Sequence, residues 1–224
     1  MTKPLRLIVF DVDGTLVDSQ ADIVASMAAA FDAVDLAPPS RADILGIVGL
    51  SLDVAIPQLI PGKSDKMYGS MIETYKSTYQ RLRVSQPADQ SSPLYAGMRE
   101  VLDGLQAVPE FLLGVATGKS RRGLDALLMG HGLERMFLTQ QVADHHPSKP
   151  HPAMLLAALA DTGISAENAV MIGDTEFDMS MARAAGMRAI AVGWGYHPAE
   201  RLAGADALVQ RVTDLPRAIA GLWE

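Results

Sequence analysis

Short apolar runs alternate with longer segments of helical spacing along most of the chain. Leu5 to Phe10 is the first run and reads as a buried strand. Phe111 to Ala116 is the second, and it ends in Thr117-Gly118. Further runs follow at Met136 to Thr139, Ala169 to Ile172 and Arg188 to Val192, with Ala207 to Val209 the weakest. Between them, apolar residues recur at helical spacing over Met98 to Ala107, Arg121 to His131, Pro152 to Asp161 and Phe177 to Ala185. Gly132, Gly163 and Gly186 come just after three of these segments, where a left-handed residue closes a helix. Pro152 suits a first helical turn. Strands alternating with helices predict βαβ units and a mainly parallel sheet covered on both faces.

The segment from about Leu16 to Ser92 breaks this rhythm. Ile23, Met27, Ala30, Phe31 and Val34 have helical spacing, and further helices are expected around Ser51 to Leu59 and Asp65 to Leu82. Ala37-Pro38-Pro39-Ser40 and Ile60-Pro61-Gly62-Lys63 read as loops between them. No strand is expected here. The pattern predicts an α/β core domain of residues 1–15 and 93–224, with a helical domain of residues 16–92 inserted after the first strand.

Composition narrows the setting. With 49% apolar and 20% charged residues in 224, the chain has the make-up of a globular protein large enough for a core and a smaller domain. No apolar run is long enough to span a bilayer, and Leu5 to Phe10 is too short for a secretory signal, so a cytoplasmic location is expected. Cysteine is absent, which excludes disulfides, thiolate nucleophiles and cysteine-ligated metals. A net charge of −7 argues against general affinity for nucleic acid or anionic membranes. It leaves a small phosphorylated metabolite open as a partner, because a local cation or a metal can override the overall charge. A monomer or homodimer is expected.

Open α/β sheets bind ligands at the carboxyl ends of their strands, and the reactive residue types sit there. The first strand runs into Asp11-Val12-Asp13-Gly14-Thr15. One carboxylate of such a pair can attack phosphorus while the other serves as acid and then base. A divalent cation would be needed beside them to offset repulsion of a phosphate. The same residues also make an ordinary turn. Thr117-Gly118 offers a hydroxyl and backbone N–H groups to a phosphoryl oxygen, or simply caps a helix. Lys149 lies in a loop, where most lysines are solvated. Gly173-Asp174, with Asp178 four residues on, suits either a site or a helix start. All four segments fall on the expected binding face, which favours a shared site.

In that order, Asp11-Val12-Asp13-Gly14-Thr15, Thr117-Gly118, Lys149-Pro150 and Gly173-Asp174…Asp178 resemble the motifs of the haloacid dehalogenase superfamily. The helical insertion is similar to the cap of its phosphoglycolate phosphatase-like members. The resemblance covers essentially the whole chain and implies a Rossmann-like parallel sheet core with an inserted helical cap. It further implies Asp11 as nucleophile and Asp13 as acid and base. Mg²⁺ would be held by Asp11, the Asp13 carbonyl and Asp174, with Asp178 ordering the metal waters or Lys149. The phosphoryl group would be bound by Gly14, Thr15, Thr117, Gly118 and Lys149.

Two alternatives accompany this reading. Sugar-phosphate mutases resemble the same pattern and share an acid at position 13, but their caps carry an arginine where Leu52 falls here in Gly49-Leu50-Ser51-Leu52. A phospho-aspartate regulatory module would have little use for Asp13 or for a long insertion. Other signals carry less. Gly118-Lys119-Ser120 resembles the end of a phosphate-binding loop, but the glycine required five residues earlier is Leu113. His145, His146 and His151 have no zinc-like spacing. Trp194 and Tyr196 could border a pocket or only pack.

Overall fold

The computed structural model describes residues 4–223. Six strands, β1 (Arg6–Phe10), β2 (Phe111–Thr117), β3 (Thr139–Val142), β4 (Ala169–Gly173), β5 (Arg188–Val192) and β6 (Ala207–Val209), form one parallel sheet. Their order is β3-β2-β1-β4-β5-β6. Side chains alternate between faces along each strand. Leu7 and Val9 therefore enter one apolar cluster and Ile8 and Phe10 the other, and β4 and β5 divide in the same way. Burial on both faces explains why these strands are uninterrupted apolar runs.

Within the insertion lie α1 (Gln20–Asp32), α2 (Arg41–Leu45), α3 (Leu52–Leu59) and α4 (Asp65–Ser85), followed by the short α5 (Ala88–Ser91). The sheet is covered by α6 (Met98–Gln106), α7 (Arg121–His131), α8 (Ala153–Thr162), α9 (Glu176–Ala184) and α10 (Leu215–Gly221). Ile23, Met27, Phe31, Ile44, Ile56 and Met71 form a third cluster, separate from the two that flank the sheet. Gly132 and Gly163 close α7 and α8 in the left-handed conformation, at φ 62° and 68°.

One expectation needs correction. The third apolar run, Met136 to Thr139, is not the strand. Met136 and Phe137 are buried in a turn, with the Phe137 ring 6.4 Å from that of Phe10. Parallel pairing starts only at Thr139, opposite Gly114. Burial without extended pairing made the run look like a strand, and Gln140 and Gln141 disguised the true one. The first residues after the 12–15 turn pack against the sheet layer. Leu16 and Val17 are fully buried in the sheet's own core, Val17 bridges to Leu94, and Asp18 N–H donates to Pro93 O at 2.9 Å. The chain thus leaves and re-enters the sheet layer as a pair of adjacent segments.

β1 is central, flanked by β2 on one side and β4 on the other. The chain reverses its direction of travel across the sheet at this point, and a crevice opens beyond the strand ends. Among the described residues no helix is long and apolar enough to cross a membrane.

Candidate active site

Asp11 follows β1 and continues its pairing, since its N–H donates to Ile172 O at 2.9 Å. Asp174 follows β4. Asp178 lies in the first turn of α9, where Thr175 and Asp178 form a reciprocal capping box. The switch point thus brings Asp11 beside Asp174 and Asp178, and one carboxylate oxygen of each lies within 4.8 Å of the others. Lys149, from the loop before α8, is buried with them. Its Nζ is 2.8 Å from Asp11 Oδ1 and 2.7 Å from Asp178 Oδ1.

The charges do not balance. Three buried carboxylates face one ammonium. Burial pushes the Asp11 carboxyl up to about 7, against the pull of Lys149 and with Asp178 adding to the rise. Burial and then Asp11 and Asp178 hold Asp174 well above the usual carboxylate range, despite donors from Tyr196 and Thr15. Burial alone would lower the Lys149 pKa, but Asp11 and Asp178 more than reverse it and keep the side chain cationic. Asp11 Oδ2 is buried without a hydrogen bond among the described residues, and Oδ1 meets the Lys149 ammonium. An all-oxygen cluster with surplus negative charge and an open carboxylate oxygen suits a hard divalent cation.

Asp174 is packed tightly from two sides. It accepts from Thr15 Oγ1 at 2.9 Å and from Tyr196 N–H at 2.8 Å. A Cβ on Gly14, at φ +86°, would lie 2.1 Å from Asp174 Oδ2, and one on Gly195 would lie 2.1 Å from Asp174 Cβ. Only glycine allows either approach. Gly14 and Thr15, expected to bind phosphate, direct their donors within the chain. Gly14 N–H donates to Val17 O, Thr15 N–H to Val12 O and the Thr15 hydroxyl to Asp174. The tight turn at 12–17 takes up the two N–H groups, and the Thr15 hydroxyl orients Asp174. Thr117 is buried at the end of β2, where its Oγ1 accepts from Lys119 N–H at 3.2 Å.

Asp13 has partners that sequence reasoning missed. Lys119 Nζ lies 2.7 Å from Asp13 Oδ1, and the buried Ser19 hydroxyl donates to the same oxygen. Lys119 also donates to Tyr79 OH on α4 at 2.8 Å. Its place directly after Thr117-Gly118, at a strand end, was the available signal. His146 instead contacts Gln141, and His151 accepts from Ala153 N–H, so the histidines gather at no common site.

A cavity of about 690 Å³ opens above Asp11 and Asp13, between the sheet and the insertion. Ile47, Leu50 and Leu52 line it from the insertion, facing Gly118 and Lys119. The loop from Gly46 to Ser51 is pinned to the sheet layer. Buried His197 bonds Gly46 O at 3.1 Å and accepts from Glu176 N–H, and Ser51 N–H donates to Ser148 Oγ at 2.9 Å. A Cβ on Gly118 would fall 2.7 Å from Gly49 O, so this contact also needs glycine.

The family model for haloacid dehalogenase-like hydrolases matches residues 8–192. The chain is 34% identical to the protein described as probable phosphatase IndB of Dickeya dadantii, over 92% of this chain and 88% of that one. It is 30% identical to a phosphoglycolate phosphatase of Vibrio cholerae, over 91% of each. Its fold is similar to that of a β-phosphoglucomutase from Clostridium difficile, with a TM-score of 0.84 at 17% identity, covering 98% of this chain and 97% of that one.

Proposed function

This chain belongs to the haloacid dehalogenase-like hydrolases, and on that footing we propose that it is a magnesium-dependent phosphatase acting on a small phosphorylated metabolite. The carrying observation is the buried Asp11 carboxylate. Its Oδ2 has no hydrogen bond among the described residues, it lines the cavity, and Lys149, Asp174 and Asp178 lie beside it. An Asp11 oxygen attacks phosphorus as the bond to the leaving oxygen breaks, and Asp13 gives that oxygen a proton. Water then attacks the aspartyl phosphate and loses a proton to Asp13. Inorganic phosphate leaves, and Asp11 is restored.

Lys149, the Thr117 hydroxyl and the Gly118 N–H bind the phosphoryl oxygens and spread their charge. The carboxylates of Asp11 and Asp174, with the Asp13 carbonyl, would hold magnesium, which when bound would neutralise the charge of the anionic substrate. Asp178 fixes Lys149. Residues 16–92, apart from their first few, act as a cap that excludes bulk water over the cavity.

Phosphoglycolate is the first substrate to try, on the strength of the relative so named, and sugar phosphates follow. A mutase must hold a second phosphate in its cap. Leu52 is apolar at the cavity wall, and the Arg83 guanidinium is engaged with Gly123 O at 2.8 Å, which weighs against that alternative.

The test is phosphate release from a metabolite panel with Mg²⁺, with EDTA and with Asp11→Asn. Turnover should require the metal and fall by at least about 10⁴-fold in the variant, as expected when a covalent nucleophile is lost. Full activity of Asp11→Asn, or no metal-dependent release from any substrate, would overturn the reading.

A further inference from the structure

Lys119 is the buried cation in the cavity wall that the phosphatase reading leaves without a task. It follows Gly118 at the end of β2 and is 9% exposed. Its ammonium touches one oxygen of Asp13 on the sheet side and the Tyr79 hydroxyl on the insertion side, and it lies 4.8 Å from the Tyr79 ring centroid. Asp13 Oδ1 is therefore held from two directions, by Lys119 and by Ser19. Ser19 is fixed in turn, because its N–H donates to Tyr196 OH at 3.0 Å. Among the described residues Asp13 Oδ2 has no hydrogen bond, and Asp13 lines the cavity.

We propose that Lys119 is a positioning residue for Asp13, clamping Oδ1 so that Oδ2 stands ready to take the proton of the attacking water, with Tyr79 coupling that clamp to the inserted helices. This rests on the reading of Asp13 as the base of the hydrolytic half-reaction. In that step a water oxygen forms the new bond to phosphorus, the bond from phosphorus to the Asp11 oxygen breaks, and the water proton passes to Asp13 Oδ2. A carboxylate clamped at one oxygen loses little orientational freedom at the moment of transfer, which is where a base gains its effect. Tyr79 sits on α4, so displacement of the insertion would loosen the clamp and leave Asp13 poorly aimed. Water would then be activated efficiently only when the cavity is covered.

p-Nitrophenyl phosphate separates the two half-reactions, because its leaving group needs no acid. With this substrate kcat/KM reports attack by Asp11, while kcat reports hydrolysis of the intermediate once that step is slow. Lys119→Met should lower kcat by about 100-fold, in the range of a lost general base. It should lower kcat/KM by less than about a tenth of that factor, so KM falls with kcat. A rapid-quench burst of p-nitrophenolate approaching one per site should appear as phosphoenzyme accumulates.

Lys119→Arg should restore kcat to within about tenfold of the parent, and Tyr79→Phe should show the same split with a smaller fall. Equal losses in kcat and kcat/KM with no burst would overturn the proposal. If Lys119→Met does not fold, Tyr79→Phe decides the matter by the same split. Asp13→Asn is the reference: if it accumulates no phosphoenzyme, the base role itself fails. If the parent protein shows no metal-dependent turnover of p-nitrophenyl phosphate or of any panel substrate, the phosphatase reading fails first.

Discussion

At the scale of single residues, the position of Asp174 depends on atoms that are missing from its neighbours. Gly14 and Gly195 both press against its side chain, closer than any Cβ would allow. Thr15 and Tyr196 then fix its two oxygens. Gly195→Ala keeps an ordinary backbone conformation but drives a methyl into Asp174, so the carboxylate must move. The substitution should raise the magnesium concentration for half-maximal activity by about 10- to 100-fold, the usual cost of disturbing the groups that orient a metal ligand. A magnesium titration of turnover checks this, and an unchanged midpoint would mean that Asp174 is not a ligand. Asp174 itself is visible from sequence as an acid after a strand. Gly195 is not, because its constraint comes from a side chain 21 positions away that only the fold brings near.

At the scale of elements, the start of α9 performs two tasks at once. Thr175 Oγ1 donates to Asp178 Oδ2 at 2.7 Å and accepts from Asp178 N–H, while Asp178 Oδ1 holds Lys149. Capping the helix and fixing the site cation are thus one arrangement. Thr175→Ala should cost about 1 kcal/mol of stability, the typical loss of an N-cap side chain. It should also lower turnover, because Asp178 loses the hydroxyl that aims it. Urea denaturation reads the first effect, and an unchanged midpoint would show that the box contributes nothing. The elements were legible where local chemistry sets them: α7 matches its apolar spacing and its closing Gly132 residue for residue. They were illegible where tertiary pairing decides. β3 carries Gln140 and Gln141 because it is an edge strand, and these glutamines look like loop residues until Gly114 is placed beside Thr139. Likewise, Leu16 and Val17 look like the first residues of a helical insertion until their pairing with the returning chain near Leu94 is known. The Lys119–Tyr79 contact joins two separately read segments, and neither one announces the other.

At the scale of the whole molecule, the candidate metal site exists only in the folded chain, since Asp11 and Asp174 come from strands far apart in sequence. Magnesium that binds the native state and not the unfolded one must therefore stabilise the entire fold. At a hundred times its dissociation constant the gain is about 2.7 kcal/mol, which for a chain of this size corresponds to a rise in Tm of about 5–10 °C. The pH dependence has a definite sign. Asp11 has a folded-state pKa raised from 3.8 to about 7. The stability contributed by its bound proton is complete below the unfolded carboxylate value and is lost as pH rises through about 7. Asp174, also raised, acts in the same direction. The metal-free protein should thus lose stability from pH 5 to pH 8, in the interval where the carboxylates become free to bind a cation. Magnesium should raise Tm more at pH 8 than at pH 5, because at the lower pH protons occupy the cluster. Calorimetry with EDTA and with Mg²⁺ at the two pH values measures both slopes. A magnesium effect equal at both would mean that the cation binds somewhere other than among Asp11, Asp174 and Asp178. The same experiment on Asp11→Asn should show a smaller magnesium shift and a weaker loss of metal-free stability with rising pH, since the variant has one carboxylate fewer to titrate or to fill.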